Sequence, residues 1–504
     1  MNIAARQQIN HQALRLAGQF DVLIVGAGIS GIDAAYHLQT QSPQRSFALL
    51  ECQDGFGGTW RTHKYPGIRS DSDLFTFGYK WKPWMGAPIA TAEEIIKYLN
   101  EVIEERNLAP HIHYQVRVLQ ASWSSKENEW TIVARHLETD EIVKYTANFL
   151  WMCQGYYQHS EGYTPDWPEM DRYEGTIVHP QTWPDDLDYT DKDVLVIGSG
   201  ATAATVIPAM SVHAKHVTML QRSPTYFFPA PNANAMADEL RDLEIPDEWT
   251  HEIVRRKILK EQQEITRRSF EEPEAVKQEL FAAAKQYLGE DFDMSPHFTP
   301  NYRPWRQRLA FLPDGDLFRE IKAGKVSAVT DQIDRFTEKG VLLESGQELT
   351  ADIIVTATGF NMCILGDEIN FLVDDQPVDF SKTITYRGIM FTGVPNLAWV
   401  FGYFRASWTL RADLVAELVC RIFKHMDDTQ SKRVTPDLRP DDENMRRLPW
   451  IDSENFNPGY LTRSMDRLPS QGDREPWIFS QDYYVERDEF PLADVSDSAL
   501  KYSR

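Results

Sequence analysis

At 504 residues the chain exceeds one ordinary hydrophobic core and points to two or three domains, and 42% hydrophobic with 12% aromatic residues is ample to fill them. A net charge of -23, from 75 acidic against 52 basic residues, excludes a general phosphate-backbone binder, so nucleic acid is not an expected partner. The four cysteines, Cys52, Cys153, Cys363 and Cys420, stand far apart with no CxxC pair, which excludes a disulfide framework, a zinc knuckle and a dithiol reductase, leaves no metal site to expect and suits a reducing cytoplasm.

Residues 1–20 are polar and mixed, without the apolar core of a secretory signal; no apolar run reaches membrane-spanning length, and nothing supports peripheral membrane contact. The first strong signal is Asp21 to Val25, an apolar run that reads as a buried parallel strand. It feeds Gly26-Ala27-Gly28-Ile29-Ser30-Gly31 and a helical segment from Ile32 to Leu38. In such a turn Gly26 makes the bend, Gly28 lets a pyrophosphate approach the backbone and Gly31 lets helix and strand pack, with the helix N-terminus toward the phosphates. A second strand, Ser46 to Leu50, ends in Glu51, whose carboxylate suits ribose hydroxyls and repels a 2′-phosphate, so this turn is expected to take FAD or NAD.

Downstream, Ile95, Ile96, Tyr98, Leu99, Val102 and Ile103 mark an amphipathic helix between Thr91 and Asn107, followed by strands around Tyr114 to Val118 and Glu129 to Ala134. An apolar strand, Phe149 to Gly155, closes this first unit. The strand-turn-helix logic then repeats: Asp193 to Ile197, Gly198-Ser199-Gly200-Ala201-Thr202-Ala203, and a helix Ala204 to Ser211. Its following strand, His216 to Leu220, ends in Gln221-Arg222-Ser223 instead of an acid; the uncharged Gln221 amide and a guanidinium that can clamp it both suit a 2′-phosphate, so the second turn is expected to take NADP(H) through Arg222 and Ser223. Pro224 to Pro231 is proline-broken, and the charged stretch Met236 to Gly289 reads as inserted helices with a solvated surface that can still wall a cavity. Ile353 to Phe360 is a second apolar strand ending in Thr358-Gly359; Phe391 to Gly402 reads as a turn back to the first unit; Ala406 to His425 is a long helix; and the stretch from about Asp427 is an irregular wrap with a tail.

Two further patterns interlock with the glycine turns. Gly58-Thr59-Trp60 through Tyr65-Pro66-Gly67 to Asp71 has the form GxWxxxxYPGxxxD, and Tyr173-Glu174-Gly175 through His179 to Trp183-Pro184 has the form YxGxxxHxxxWP. Together they resemble the fingerprints of Baeyer–Villiger monooxygenases, class B flavoprotein monooxygenases, over about Asp21 to His425, and the second glycine turn with the Phe298 to Phe318 stretch is most similar to the ethionamide-activating subgroup. Tyr173 departs from the pattern, where Phe is usual, and keeps the aromatic ring.

The resemblance implies an α/β fold of two Rossmann-like domains: an FAD domain from 1–155, an NADP domain from 156–370 with a helical insertion at about 232–300, and a return to the FAD domain with the C-terminal wrap over 371–504. It implies FAD and NADP(H) as cofactors, with Gly26, Gly28, Gly31, Glu51, Gly58, Thr59, Trp60 and Asp71 at the first and Gly198, Ser199, Gly200, Ala201, Thr202, Arg222 and Ser223 at the second. It also implies oxygen insertion beside a ketone through a C4a-peroxyflavin, with thioether sulfoxidation as a side activity. Asp71 would hold an active-site arginine; Arg308 matches best, with Arg306, Arg303 and Arg69 as alternatives. His179 and Trp183 would act conformationally, coupling NADP binding to domain motion. The competing readings are an N- or S-monooxygenase, against which Trp183 and Asp71 count, and a non-catalytic flavin-bound redox sensor.

Overall fold

The computed structural model describes residues 8–365 and 367–504. Strand β1 (Leu16–Val25) begins earlier than its apolar run suggests, because its first half already pairs with the strand Ile142–Met152. Helix α1 (Ile29–Gln41) follows the glycine turn and β2 (Phe47–Leu50) lies parallel to β1, with Val25 opposite Leu50. A Cβ on Gly31 would lie 1.9 Å from the Gly26 carbonyl oxygen, so the helix presses onto the turn at a distance that only glycine permits.

Helix α2 (Ala92–Glu105) is started by a capping box, in which Thr91 and Glu94 satisfy each other's backbone N–H groups, and it buries Ile95, Tyr98, Leu99, Val102 and Ile103. Strands β3 (Val116–Ser124), β4 (Glu129–His136) and β5 (Ile142–Met152) form an antiparallel excursion, and β5 returns parallel to β1 with Met152 beside Val25. Alternate residues of β1 serve two cores. Val22 and Ile24 pack toward the helical layer, whereas Leu23 and Val25 pack toward an aromatic layer that includes Trp123, Trp130, Trp399 and Trp450.

The second unit is built on an all-parallel sheet, with a small antiparallel sheet of Ile333–Thr337, Gly340–Leu343 and Glu348–Thr350 beside it. Strand β6 (Asp193–Ile197) leads through the second glycine turn into α3 (Ala201–Met210), and β7 (His216–Gln221) lies beside β6. Helices α4 (Ala235–Asp242), α5 (Asp247–Glu271) and α6 (Pro273–Leu288) form the insertion. Strands β8 (Val326–Thr330) and β9 (Ile353–Thr356) then complete the order β8-β7-β6-β9, with Thr176–Val178 on the far edge.

The insertion is not only a solvated surface. Arg255 of α5 is buried and donates to the carbonyls of Phe75 at 2.9 Å, Thr76 at 3.2 Å and Gly78 at 3.1 Å, capping the short helix Leu74–Phe77 of the first unit. The proline-broken stretch also holds a strand, Phe227–Ala230, which pairs in parallel with Ala310–Pro313.

The chain returns through β10 (Asn370–Val373), which adds to β3, and β11 (Leu397–Trp399), which lies parallel to β5 with Leu397 beside Leu150. Helix α7 (Trp408–Thr429) then packs on α1. The C-terminal wrap is more ordered than its composition suggests. Leu500–Ser503 pairs antiparallel with Arg433–Pro436, and Arg411, fully buried on α7, meets Glu486 at 2.8 Å. Cys52, Cys153 and Cys420 are free, and no helix among the described residues is long and apolar enough to cross a membrane.

Candidate active site

A cleft of about 1370 Å³ lies between the two units and is lined by both glycine turns. Gly26 and Gly198 turn the chain at φ +102° and +132°, conformations open to glycine. Beyond them, α1 and α3 both begin at a glycine, Gly28 and Gly200, with no side chain capping the helix. The backbone N–H groups of each first turn are therefore left for an anion, as a dinucleotide pyrophosphate requires. Gly28 is backed closely by Gly58, and Thr59 and Trp60 follow at the cleft wall.

Glu51 is buried at the end of β2, where its carboxylate accepts the N–H groups of Ala27 and Gln53, each at 2.8 Å. Those bonds fix the carboxylate at the cleft and leave each oxygen further acceptor capacity for ribose hydroxyls. At the second turn Ser199 is held by Thr225 at 2.8 Å, and Ala201 and Thr202 open α3. Arg222 and Ser223 are exposed at the cleft, and among the described residues Arg222 has no hydrogen-bond or ion-pair partner. This donor set fits FAD at the first turn and NADP(H) at the second. Gln221 is the correction: its amide is turned inward, donating to the His297 carbonyl at 2.6 Å and Thr330 at 3.0 Å, because it belongs to the buried end of β7. Its amide donors are spent inside the fold.

Of the four candidate arginines, Arg308 meets Asp71. Its Nε lies 2.6 Å from Asp71 Oδ2 and its Nη2 donates to Asp71 Oδ1 at 2.8 Å, a fork-to-fork geometry; further bonds run to Ser72 Oγ at 3.2 Å and the Phe404 carbonyl at 3.2 Å. Both side chains keep about one-third of their surface exposed, at 34% each, and both line the cleft. Burial works against the Arg308 charge, but the Asp71 carboxylate, helped by the Tyr156 and Tyr460 phenols, outweighs it and holds the guanidinium above its ordinary value. The other arginines are committed elsewhere or point to solvent. Arg69 pairs with Asp316 at 2.6 Å, Arg303 lies over the Phe270 ring at 3.8 Å, and Arg306 is exposed.

The first fingerprint is an interdomain brace as well as a cofactor wall. The Tyr65 phenol reaches Thr202, Gly67 approaches so closely that a Cβ would lie 2.7 Å from Ala209 Cβ, and Arg69 also donates to the Ala204 carbonyl of α3 at 3.4 Å. In the second fingerprint His179 Nε2 lies 2.9 Å from the Gly359 carbonyl and its Nδ1 accepts the Gln181 N–H at 3.1 Å, joining the segment to the loop after β9. Trp183 packs on the core of the second unit, and buried Tyr173 donates its hydroxyl to the Ala351 carbonyl at 2.9 Å, a bond phenylalanine lacks.

The cleft also contains residues that motif reading passed over. Tyr156 stacks on Trp408 at 5.0 Å, Tyr157 meets Phe360 at 4.1 Å and Phe360 stacks on Tyr460 at 4.2 Å, forming an aromatic wall beside Arg308. Trp408 donates to Ser30 in the first turn of α1 at 2.7 Å. The signal for the tyrosine pair was its place directly after Gly155, at the C-terminal end of a parallel strand, where open α/β sheets place ligands; Tyr460 comes from the C-terminal wrap and carries no local signal.

The flavin-binding monooxygenase-like family matches residues 88–234, and an NAD(P)-binding Rossmann-like domain matches residues 24–82. The FAD-containing monooxygenase EthA of Mycolicibacterium smegmatis is 46% identical over 491 residues, 96% of this chain and 97% of the relative. Among solved structures, an oxidized steroid monooxygenase bound to NADP superimposes with a TM-score of 0.74 at 22% identity, covering 96% of this chain and 100% of the other. The OTEMO complex with FAD and NADP gives 0.72 at 19% identity, covering 96% and 99%. Those two likenesses describe the fold. With two glycine turns, an acid at the end of the first unit's β2 and a free arginine at the end of the second unit's β7, the chain belongs to the FAD-containing flavin monooxygenases that include EthA.

Proposed function

We propose that this monooxygenase inserts one atom of dioxygen beside the carbonyl of a ketone, giving an ester or lactone, with thioether sulfoxidation as a side activity. The overall balance is ketone, NADPH, a proton and dioxygen giving ester, NADP⁺ and water. Bound FAD, reduced by NADPH, supplies dioxygen activation and oxygen transfer. The chain's own residues supply the setting.

The observation that carries this reading is the Arg308–Asp71 pair. Oxygen insertion at a carbonyl carbon proceeds through negatively charged oxygen, and a preorganised guanidinium at the cleft stabilises such charge without reorganising. Asp71 keeps the fork oriented and charged while contacts to Ser72 and Phe404 restrict it further. The wall of Tyr156, Trp408, Phe360 and Tyr460 offers an apolar surface to a ketone and limits water. Arg222 and Ser223 hold the 2′-phosphate end of NADPH, Glu51 the flavin ribose, and His179 links the second fingerprint to the loop after β9.

The test is product analysis by mass spectrometry after incubation with NADPH and air, over linear, cyclic and aromatic ketones alongside thioethers and tertiary amines. Esters or lactones are the expected principal products. Oxidation confined to sulfur or nitrogen would replace this reading with heteroatom monooxygenation, and NADPH left unoxidised would leave a flavin-bound sensor.

A further inference from the structure

Three histidines meet at the seam between the two dinucleotide turns, and only one is committed. His63, within the first fingerprint, is 7% exposed; its ring centroid lies 6.3 Å from that of His159, 5.7 Å from Tyr157 and 5.9 Å from Tyr65. His159 sits on the strand Tyr157–Gly162, which pairs with Phe360–Met362. His179 spends both ring nitrogens on backbone partners. By contrast His63 Nε2 and His159 Nδ1 are buried with no hydrogen-bond partner, and among the described residues neither imidazole meets a carboxylate.

Such buried, unsatisfied nitrogens need explaining in a folded protein. Both rings line the cleft, and Tyr65, two residues after His63, reaches Thr202 in the first turn of α3, the helix whose uncapped N-terminus faces the second nucleotide. The groups around them are Tyr65 and Tyr157, the Gln181 Oε1 atom, itself buried and unpartnered, and His179; beyond these are Lys64, paired with Asp185, and Arg463, stacked on Tyr163 at 3.4 Å. Among the described residues no acid meets the pair to balance a proton; Asp71, which acts on Tyr65 and Tyr157, is paired with Arg308.

We propose that His63 and His159 add side-chain contacts to the pyrophosphate of NADP(H) held at the N-terminus of α3, and that they take up a proton as the nucleotide enters. The proposal rests on the assignment of the second glycine turn to NADP(H). With the cleft open, burial, with His159 and His179 adding to it, pushes His63 down to about 4, and burial lowers His159 as well, so both are neutral near pH 7. An anion brought against them favours the charged form and converts neutral contacts into charge-assisted hydrogen bonds. The sign follows: a group whose value rises on binding makes the complex tighter as pH falls through its bound value, with the gain complete below its free value.

The test is calorimetric titration of the FAD-loaded protein with NADP⁺ at pH 6, 7 and 8, in pairs of buffers of different ionisation enthalpy. The wild type should take up protons, and its affinity should rise about tenfold from pH 8 to pH 6. His63→Gln and His159→Gln keep a polar side chain that cannot be charged. They should retain FAD and melting temperature, bind NADP⁺ about as the wild type does at pH 8, and lose most of the gain at pH 6. The 2′-phosphate titrates identically in every protein, so the difference between wild type and variant is the readout. His63→Phe, which keeps the ring, serves if the glutamine variant folds poorly. Equal proton uptake and equal pH slopes in wild type and variants would overturn the proposal. Absence of NADP⁺ binding to the wild type at every pH would instead overturn the assignment of the second turn.

Discussion

Replacing Gly200 with alanine separates the fold from the nucleotide site. Gly200 sits at φ -77° and ψ -173°, backbone that alanine adopts freely, and a Cβ there would meet nothing within 4 Å. The stability change should therefore stay within about 1 kcal/mol, since a small loss at the helix cap is offset by a less flexible unfolded chain. The open space is where a pyrophosphate must approach the N-terminus of α3. A methyl group at that point displaces the phosphate from at least one backbone N–H, and a hydrogen bond to a charged group is worth about 1.5–3 kcal/mol, or roughly 10- to 150-fold in affinity. Anaerobic stopped-flow reduction over a range of NADPH concentrations should show that rise in half-saturation, while thermal unfolding and FAD content stay near the wild type. Unchanged NADPH affinity in Gly200→Ala would refute the placement of the pyrophosphate.

Gly31→Ala should behave in the opposite way: its Cβ would lie 1.9 Å from the Gly26 carbonyl, so α1 must shift, and purification should yield little FAD-loaded protein. Arg222→Ala should raise the Michaelis constant for NADPH by about 5- to 30-fold and leave NADH use alone; the arginine is exposed and has no internal partner to lose, and screening keeps the effect at the low end and shrinks it further in salt. Glu51→Gln should weaken FAD retention in a dialysis and fluorescence assay without altering the NADPH to NADH ratio, because its carboxylate sits at the first turn with Ala27.

What the sequence made legible was local. Each glycine turn is a contiguous strand, bend and helix, and Asp193–Ile197 has the bounds that its apolar run predicts. The extension of β1 back to Leu16 was hidden because Gly18 and Gln19 break that run, and the order of the C-terminal wrap was hidden because it rests on ion pairs such as Arg411–Glu486 and not on periodicity. The arginine that Asp71 would hold stayed one of four candidates since Asp71 and Arg308 are 237 positions apart, and only the fold brings them together. Strand-end chemistry misled at Gln221, where composition suited a nucleotide but the pleat turned the amide inward. The aromatic wall assembles Tyr156, Trp408 and Tyr460 from three distant segments, and no spacing rule connects them.

The central claim is that Arg308, held by Asp71, makes oxygen insertion beside a carbonyl productive. Its most direct test supplies ¹⁸O₂ and NADPH to wild type and to Arg308→Ala with a ketone that the wild type converts, and follows ester, peroxide and NADPH together. The wild type should give an ester carrying one heavy oxygen atom, in step with NADPH consumed. Arg308→Ala should still bind FAD and be reduced by NADPH, yet form almost no ester and release hydrogen peroxide in its place. A coupled yield of labelled ester from Arg308→Ala close to that of the wild type would contradict the account.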